Sequence, residues 1–208
     1  MGGPVSAGPL AAGTAPAGLP APAAEVIAFW FGGFAPATAR AEWFRKDEAF
    51  DAAIRERFGP CIDDALAGGL VHWDATPHGA LARIVVLDQF TRNAFRGTPR
   101  SFDGDALALA AARAAVARGD DRRVGPVMRP FVYLPFEHAE DPAAQAESLR
   151  LFAALAAGHP EQAGLLDWAR RHADVVARFG RYPHRNAILG RPSTADELEF
   201  LRQPGSSF

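Results

Sequence analysis

The run Arg178-Phe179-Gly180-Arg181-Tyr182-Pro183-His184-Arg185-Asn186, followed at once by Leu189-Gly190-Arg191, crowds Arg178, Arg181, His184, Arg185 and Asn186 beside two aromatic rings. Guanidinium groups are planar donors that hold carboxylates and phosphates through paired N–H···O bonds, and imidazole exchanges a proton near neutral pH. The chemistry these types can perform is therefore anion recognition combined with proton transfer. Asp174 lies four residues before Arg178 and seven before Arg181, so on a continuous helix the three share a face, and one carboxylate balances only part of the charge. A solvated charged surface is the simpler alternative, but the interleaved aromatic and glycine residues favour a concave, partly dry setting.

Two further segments carry chemistry. Leu81, Ile84 and Val85 mark the apolar stripe of a helix, and three residues beyond Val85 stands Asp88, a carboxylate aimed at the core side. Arg92 and Arg96 follow at successive four-residue steps and extend this into a ladder, with Gln89 and Asn93 as a second polar pair beside it. The structural alternative is an Asp88–Arg92 ion pair that only fixes helix packing. Pro135-Phe136-Glu137-His138-Ala139-Glu140-Asp141 reads as a connection between helices, with one histidine among three carboxylates. A carboxylate beside His138 would favour its imidazolium form and make it a switchable acid or base. The alternative assigns Glu137, Glu140 and Asp141 to capping the next helix.

What must position these groups is helical. From Ala23 onward apolar residues recur at helical spacing, with no sustained alternation between hairpin turns, so the fold is expected to be all-α. The predicted helices cover 23–31, 36–46, 47–67, 77–92, 103–118, 127–134, 142–157, 162–179 and 193–202. Asp47 and Asp103 are candidate N-caps, and Ser193-Thr194 before Asp196-Glu197 resembles a helix start. Short links suit antiparallel helix pairs within a single domain covering 23–208. Residues 1–22, rich in Ala, Gly and Pro, are expected to form a flexible extension. The aromatic pairs Trp30-Phe31 and Trp43-Phe44 are expected core anchors.

Composition excludes several classes. A net charge of -2 over 208 residues leaves no global positive excess for a polyanion, so nucleic acid is not an expected partner. Charges or prolines interrupt every apolar run, so no membrane span is expected. The N-terminus lacks the basic start and apolar core of a secretory signal, and the single cysteine, Cys61, fits a reducing compartment, so the protein is expected in the cytoplasm. One histidine with scattered acids and no HExxH spacing gives no expected metal, and nothing calls for a cofactor.

Trp30-Phe31-Gly32, the stretch Asp88 to Gly97, Pro135 to Glu140, and Arg178 through Arg191, taken in order, resemble a bacterial family of uncharacterised proteins with a tetratricopeptide-repeat-like helical fold, catalogued as a domain of unknown function. The resemblance runs from about Val26 to Leu201. It implies an all-helical array and one domain, and no established reaction. Two positions depart from the family pattern: Thr91 stands where proline is usual and Ala139 where serine is usual. The second weakens any proposal in which a hydroxyl beside His138 acts as nucleophile.

The expectation is therefore a cleft where Gln89, Arg92, Asn93, Arg96, Asp174, Arg178, Arg181, Arg185 and Asn186 bind a small anionic molecule, a phosphate or carboxylate compound. His138 or His184 would act as acid or base, with Asp88, Glu140 or Asp174 orienting the ring. The alternative is a helical-repeat module gripping a peptide or protein partner.

Overall fold

The computed structural model describes residues 13–206, apart from the Phe44 side chain. The expected extension over 1–22 thus lies mostly outside the described residues. Helix α1 (Ala21–Phe31) begins inside that stretch, with Leu19 packed against the core. There follow α2 (Glu48–Leu66), α3 (Pro77–Val85), α4 (Thr91–Ala94), α5 (Asp105–Arg118), α6 (Pro130–His138), α7 (Pro142–Gly158), α8 (Ala163–Phe179) and α9 (Ala195–Leu201). No strand forms among the described residues.

Local chemistry sets most of these boundaries. The Asp47 carboxylate accepts from Ala49 and Phe50 N–H to open α2, and Thr76 accepts from Gly79 N–H with Pro77 in the first position of α3. Asp141 does the same for α7 ahead of Pro142. Thr194 and Glu197 form a reciprocal capping box on α9. At the far ends, α1, α5 and α8 stop at Gly32, Gly119 and Gly180, each in the left-handed region that costs a residue with Cβ.

Two predicted helices differ. The helix expected over 36–46 is only one 3₁₀ turn, Ala41–Phe44. Its donors serve α1 instead: Arg40 Nη1 bonds the carbonyls of Phe29 at 2.6 Å and Trp30 at 3.1 Å, and Trp43 Nε1 bonds the Trp30 carbonyl at 2.9 Å. The segment satisfies the open carbonyls of a helix end, not a ladder of its own. The helix expected over 127–134 starts at Pro130 and runs through Pro135 to His138, so Glu137 and His138 sit on a helical last turn and not in a connection. The Glu137 and Ala139 carbonyls are taken up by Gln145 Nε2, both at 2.7 Å, which supports this end where the α6 ladder runs out.

The core is a single large cluster centred on α3, which packs against α1, α5 and α6. Trp30 is the expected anchor, surrounded by Trp43, Phe50, Phe90 and Phe131 with ring centroids 5.8 to 6.2 Å away. Between α3 and α4 the chain forms a π-helical turn, Val86–Phe90, packed on α2 and α5. Helices α7 and α8, joined by a short link, form a hairpin that contacts α6. A satellite cluster of Val175, Val176 and Tyr182 with Phe179 and Phe200 ties the C-terminal turn, Pro183–Arg185, and α9 to this hairpin.

Because Glu197 caps α9 while also holding Arg181 and Asn186, the α9 start is the anchor of the C-terminal segment. Thr194→Ala is expected to lower stability by about 1 kcal/mol. The measurement is the urea midpoint, which should fall with an unchanged m-value.

Candidate functional site

Asp88 is the centre of the site. It lies on the π-helical turn with only 1% of its surface exposed, and its carboxylate is fully engaged. Oδ1 is ion-paired with Arg92 Nη1 at 2.9 Å, which donates to the Asp88 backbone carbonyl at 2.6 Å, and contacts His138 Nδ1 at 2.7 Å, while Oδ2 accepts from Gln89 Nε2. Burial alone would raise its pKa, but the Arg92 charge, His138 and the Gln89 bond outweigh it and hold the carboxyl well below the usual range. Asp88 is therefore an anion at every working pH. With Asp88 accepting at Nδ1, a neutral His138 carries its proton there and presents a lone pair at Nε2.

A second layer joins from α5 and the C-terminal turn. Arg92 Nη2 contacts Asp105 Oδ1 at 2.9 Å, and Arg185 Nη1 contacts Asp105 Oδ2 at 3.0 Å, so one carboxylate bridges two guanidinium groups. Gly104 makes this approach possible: a Cβ there would stand 2.0 Å from the Leu87 carbonyl oxygen, so only glycine lets the start of α5 touch the π-helical turn. The Arg185 guanidinium lies against Tyr182 and Phe102, 4.6 and 4.8 Å from the ring centroids, and donates through Nη2 to the His138 carbonyl at 3.0 Å. Its Nε is buried with no hydrogen-bond partner among the described residues.

Behind His138 lies a polar interior. Glu137, 4% exposed, approaches His172 Nδ1 at 3.2 Å, and that nitrogen also contacts the Trp168 carbonyl at 2.9 Å. Burial and the Asp88 charge push the Glu137 carboxyl up to about 8, while burial pulls His172 down to about 3. Tyr182 donates its hydroxyl to the Glu137 carbonyl and accepts from Gln145 Nε2 at 2.9 Å. Glu140 makes a two-pronged ion pair with Arg191, at 2.6 and 2.9 Å, and accepts the Tyr182 N–H at 2.8 Å. The C-terminal turn is thereby clamped to the end of α6. His184 stacks against Tyr182 at 5.6 Å, and burial together with Arg185 lowers its pKa to about 4.

Of the residues singled out in the sequence, Asp88, Gln89, Arg92, His138, Glu140, His184 and Arg185 converge here. Asn93 is buried on α4. Five others lie elsewhere. The ladder breaks before Arg96 because α4 ends at Ala94, and Arg96 pairs with Asp51 of α2 at 2.7 Å. Asp174 and Arg178 are exposed on α8, where Arg178 lies 4.6 Å from the Phe179 ring centroid. Arg181 falls beyond the helix stop at Gly180 and pairs with Glu197 at 2.7 Å, while Asn186 donates to Ser193 at 3.0 Å and accepts from Arg191 at 2.9 Å. The expected imidazolium at His138 is also corrected: burial first, with Arg92 and Arg185, outweighs Asp88 and lowers its pKa, so the ring is a base at neutral pH.

The arrangement is also more closed and better balanced than an arginine-lined cleft. Asp88 and Asp105 offset Arg92 and Arg185, and Glu140 offsets Arg191. Two surface depressions, one between α5 and α7 and one between α2 and α4, include none of Asp88, Arg92, Asp105, His138 or Arg185. Around Asp88, solvent reaches mainly Asp105, Arg92 and His138, whose side chains are 23%, 18% and 16% exposed. Sequence reasoning missed Asp105 altogether. It assigned the helix start to Asp103, and the acidic first-turn position that Asp105 holds was the only local signal. Gln145 and Glu137 act through partners far along the chain, which spacing does not reveal. Among the described residues no group of three or more His, Cys, Asp or Glu is arranged to hold a metal ion. No helix is long and apolar enough to cross a membrane.

Fold and site together define a single-domain, all-helical protein built around a buried Asp–His–Arg network. The chain belongs to a family of bacterial proteins of unknown function, DUF924, whose model matches residues 26–205. It is similar to the solved structure of Protein of Unknown Function ATU0120 from Agrobacterium tumefaciens, with 40% identity and a TM-score of 0.78, over 87% of this chain and 97% of that one. No curated protein matches.

Proposed function

We propose that the Asp88–His138 pair and the Arg92–Arg185 pair form one site for a small anionic molecule, a phosphate or carboxylate compound, at which His138 serves as general base. The observation that carries this reading is the 2.7 Å contact between His138 Nδ1 and a carboxylate 1% exposed, while the imidazole keeps 16% of its side chain at the surface. A buried anion behind a solvent-reachable imidazole fixes the ring and its tautomer and leaves Nε2 as the proton acceptor, which is the arrangement acid–base catalysis uses. Arg92 and Arg185 supply guanidinium groups beside it for ligand charge. Glu140 and Arg191 position the Tyr182 turn, and His184 lines its far side. With Ala139 beside His138, proton transfer to or from the ligand fits better than a covalent serine mechanism.

The α7–α8 hairpin supports a tetratricopeptide-like arrangement. Against an open array with a long peptide groove stands α3, packed at once on α1, α5 and α6, since in a solenoid each repeat meets only its neighbours. The small-ligand reading is therefore preferred, in a cytoplasmic protein as the single cysteine suggests.

Native mass spectrometry of freshly purified protein tests it. The wild type and Arg178→Gln, an exposed control, are expected to carry a small anion that Arg185→Gln loses while remaining folded by circular dichroism. His138→Gln should keep the anion. Retention of the anion by Arg185→Gln, or its absence from the wild type after added phosphate and acetate, would refute the site.

A further inference from the structure

The geometry points to the class of ligand: Arg92 and Arg185 are a carboxylate-recognition pair, and Asp105 is a built-in stand-in that a ligand carboxylate displaces. This rests on the small-anion reading above and narrows it. Each oxygen of the Asp105 carboxylate faces a different guanidinium: Oδ2 takes an N–H from Arg185 at 3.0 Å, while Oδ1 is ion-paired with Arg92 Nη2 at 2.9 Å and neither of those two atoms has a hydrogen-bond partner among the described residues. A planar two-oxygen group thus fills the space between the two arginines, the fit that guanidinium pairs offer a carboxylate.

Three features separate a displaceable carboxylate from a structural one. Asp105 keeps 23% of its side chain exposed, whereas Asp88, the structural partner of the same Arg92, keeps 1%. Asp105 can therefore swing into water without burying its charge. It also stands at the first position of α5, where an anion remains favoured by the helix N-terminus after leaving the arginines. Finally, Arg185 is 7% exposed yet its buried Nε has no partner among the described residues, a donor left over that Asp105 does not reach. A ligand with a second acceptor that reaches this donor gains a bond that Asp105 does not make. Phe102, against the Arg185 guanidinium and only half-buried, supplies an apolar wall for the rest of such a molecule.

An internal competitor lowers apparent affinity by the fraction of time it occupies the site. Removing it must raise affinity for a free carboxylate. The experiment titrates wild type, Asp105→Asn, Asp105→Ser and Asp105→Asn/Arg185→Gln with acetate and, separately, inorganic phosphate, following binding by calorimetry and the His138 ring signals by NMR. The expected result is acetate binding tightened by about tenfold or more in both single variants, a smaller gain for phosphate, and loss of the gain in the double variant. Wild type and variants that bind acetate equally, or phosphate with the larger gain, would overturn this inference and leave the anion site standing. No binding of either anion by any form would overturn both. Failure of both single variants to fold would also overturn it, because a carboxylate that the fold requires is not one a ligand displaces.

Discussion

Asp88→Ala is expected to destabilise the protein by about 3–5 kcal/mol at neutral pH and to abolish anion binding. The carboxylate meets three groups at once, Arg92 Nη1, His138 Nδ1 and Gln89 Nε2, in a site 1% exposed. Removing it leaves Arg92 with Asp105 as its one carboxylate and strips His138 of the partner that sets its tautomer. The loss therefore exceeds that of a surface ion pair, which is worth about 0–1 kcal/mol. The pH dependence follows from the direction of the shift. The Asp88 carboxyl is held below its usual range, so unfolding takes up a proton at acid pH. Its stabilisation is complete above about pH 4 and is lost progressively as the pH falls further. Urea titrations should therefore show the gap between wild type and variant narrowing on acidification. A gap under about 1 kcal/mol at pH 7 would mean that Asp88 does not organise the site.

The sequence discloses groups whose placement is local and hides those whose placement is tertiary. Asp88 could be found because the Leu81, Ile84, Val85 stripe continues onto it within one helix. Arg92 could be found because it lies one turn further on, and their ion pair formed as the spacing requires. The π-helical turn at Val86–Phe90 leaves that four-residue relation intact, but no residue type announces it. Arg96 shows the limit of the rule: two turns of extrapolation crossed a helix end at Ala94, and the side chain found Asp51 of α2 instead. Arg181 failed in the same way across Gly180. Asp174 and Arg178 kept their shared helix and lost only the cleft, because helical spacing relates residues to one another and not to the neighbouring helix. Asp105 bridges two arginines that come from α4 and from the C-terminal turn, an encounter set by the Gly104 contact with Leu87. Charge balance was equally hidden. Counting arginines in one segment suggested an unmatched surplus, and the carboxylates that match it, Asp105, Glu140 and Glu197, arrive from elsewhere in the chain.

The Glu137–His172 pair gives the second large effect, a loss of stability on the alkaline side of neutrality that Glu137→Gln removes. In the folded protein the two groups hold one titrating proton between them, on Glu137, whose carboxyl is pushed up to about 8 while His172 is pulled down to about 3. Placing that proton on His172 instead would not change the count. An unfolded chain holds about one proton on the same pair near pH 5.5, on histidine, and loses it through about pH 6.5. Between about pH 6.5 and 8 the folded state therefore binds more protons than the unfolded state, and stability falls as the pH rises, by about 2 kcal/mol over that interval. The other histidines with shifted values do not produce this limb. His78, His138 and His184 are all lowered, so their contributions rise up to about pH 6.5 and are flat above it. Cys61, Tyr133 and Tyr182 are raised, from values that place their influence above pH 8. Glu137→Gln keeps the side-chain volume and can still meet His172, but it carries no proton to lose. Urea midpoints of the wild type should decline from pH 6.5 to 8 while those of the variant stay level. Parallel curves would show that the native pair holds no proton above about pH 6.5, with Glu137 ionised beside Asp88 and His172 neutral.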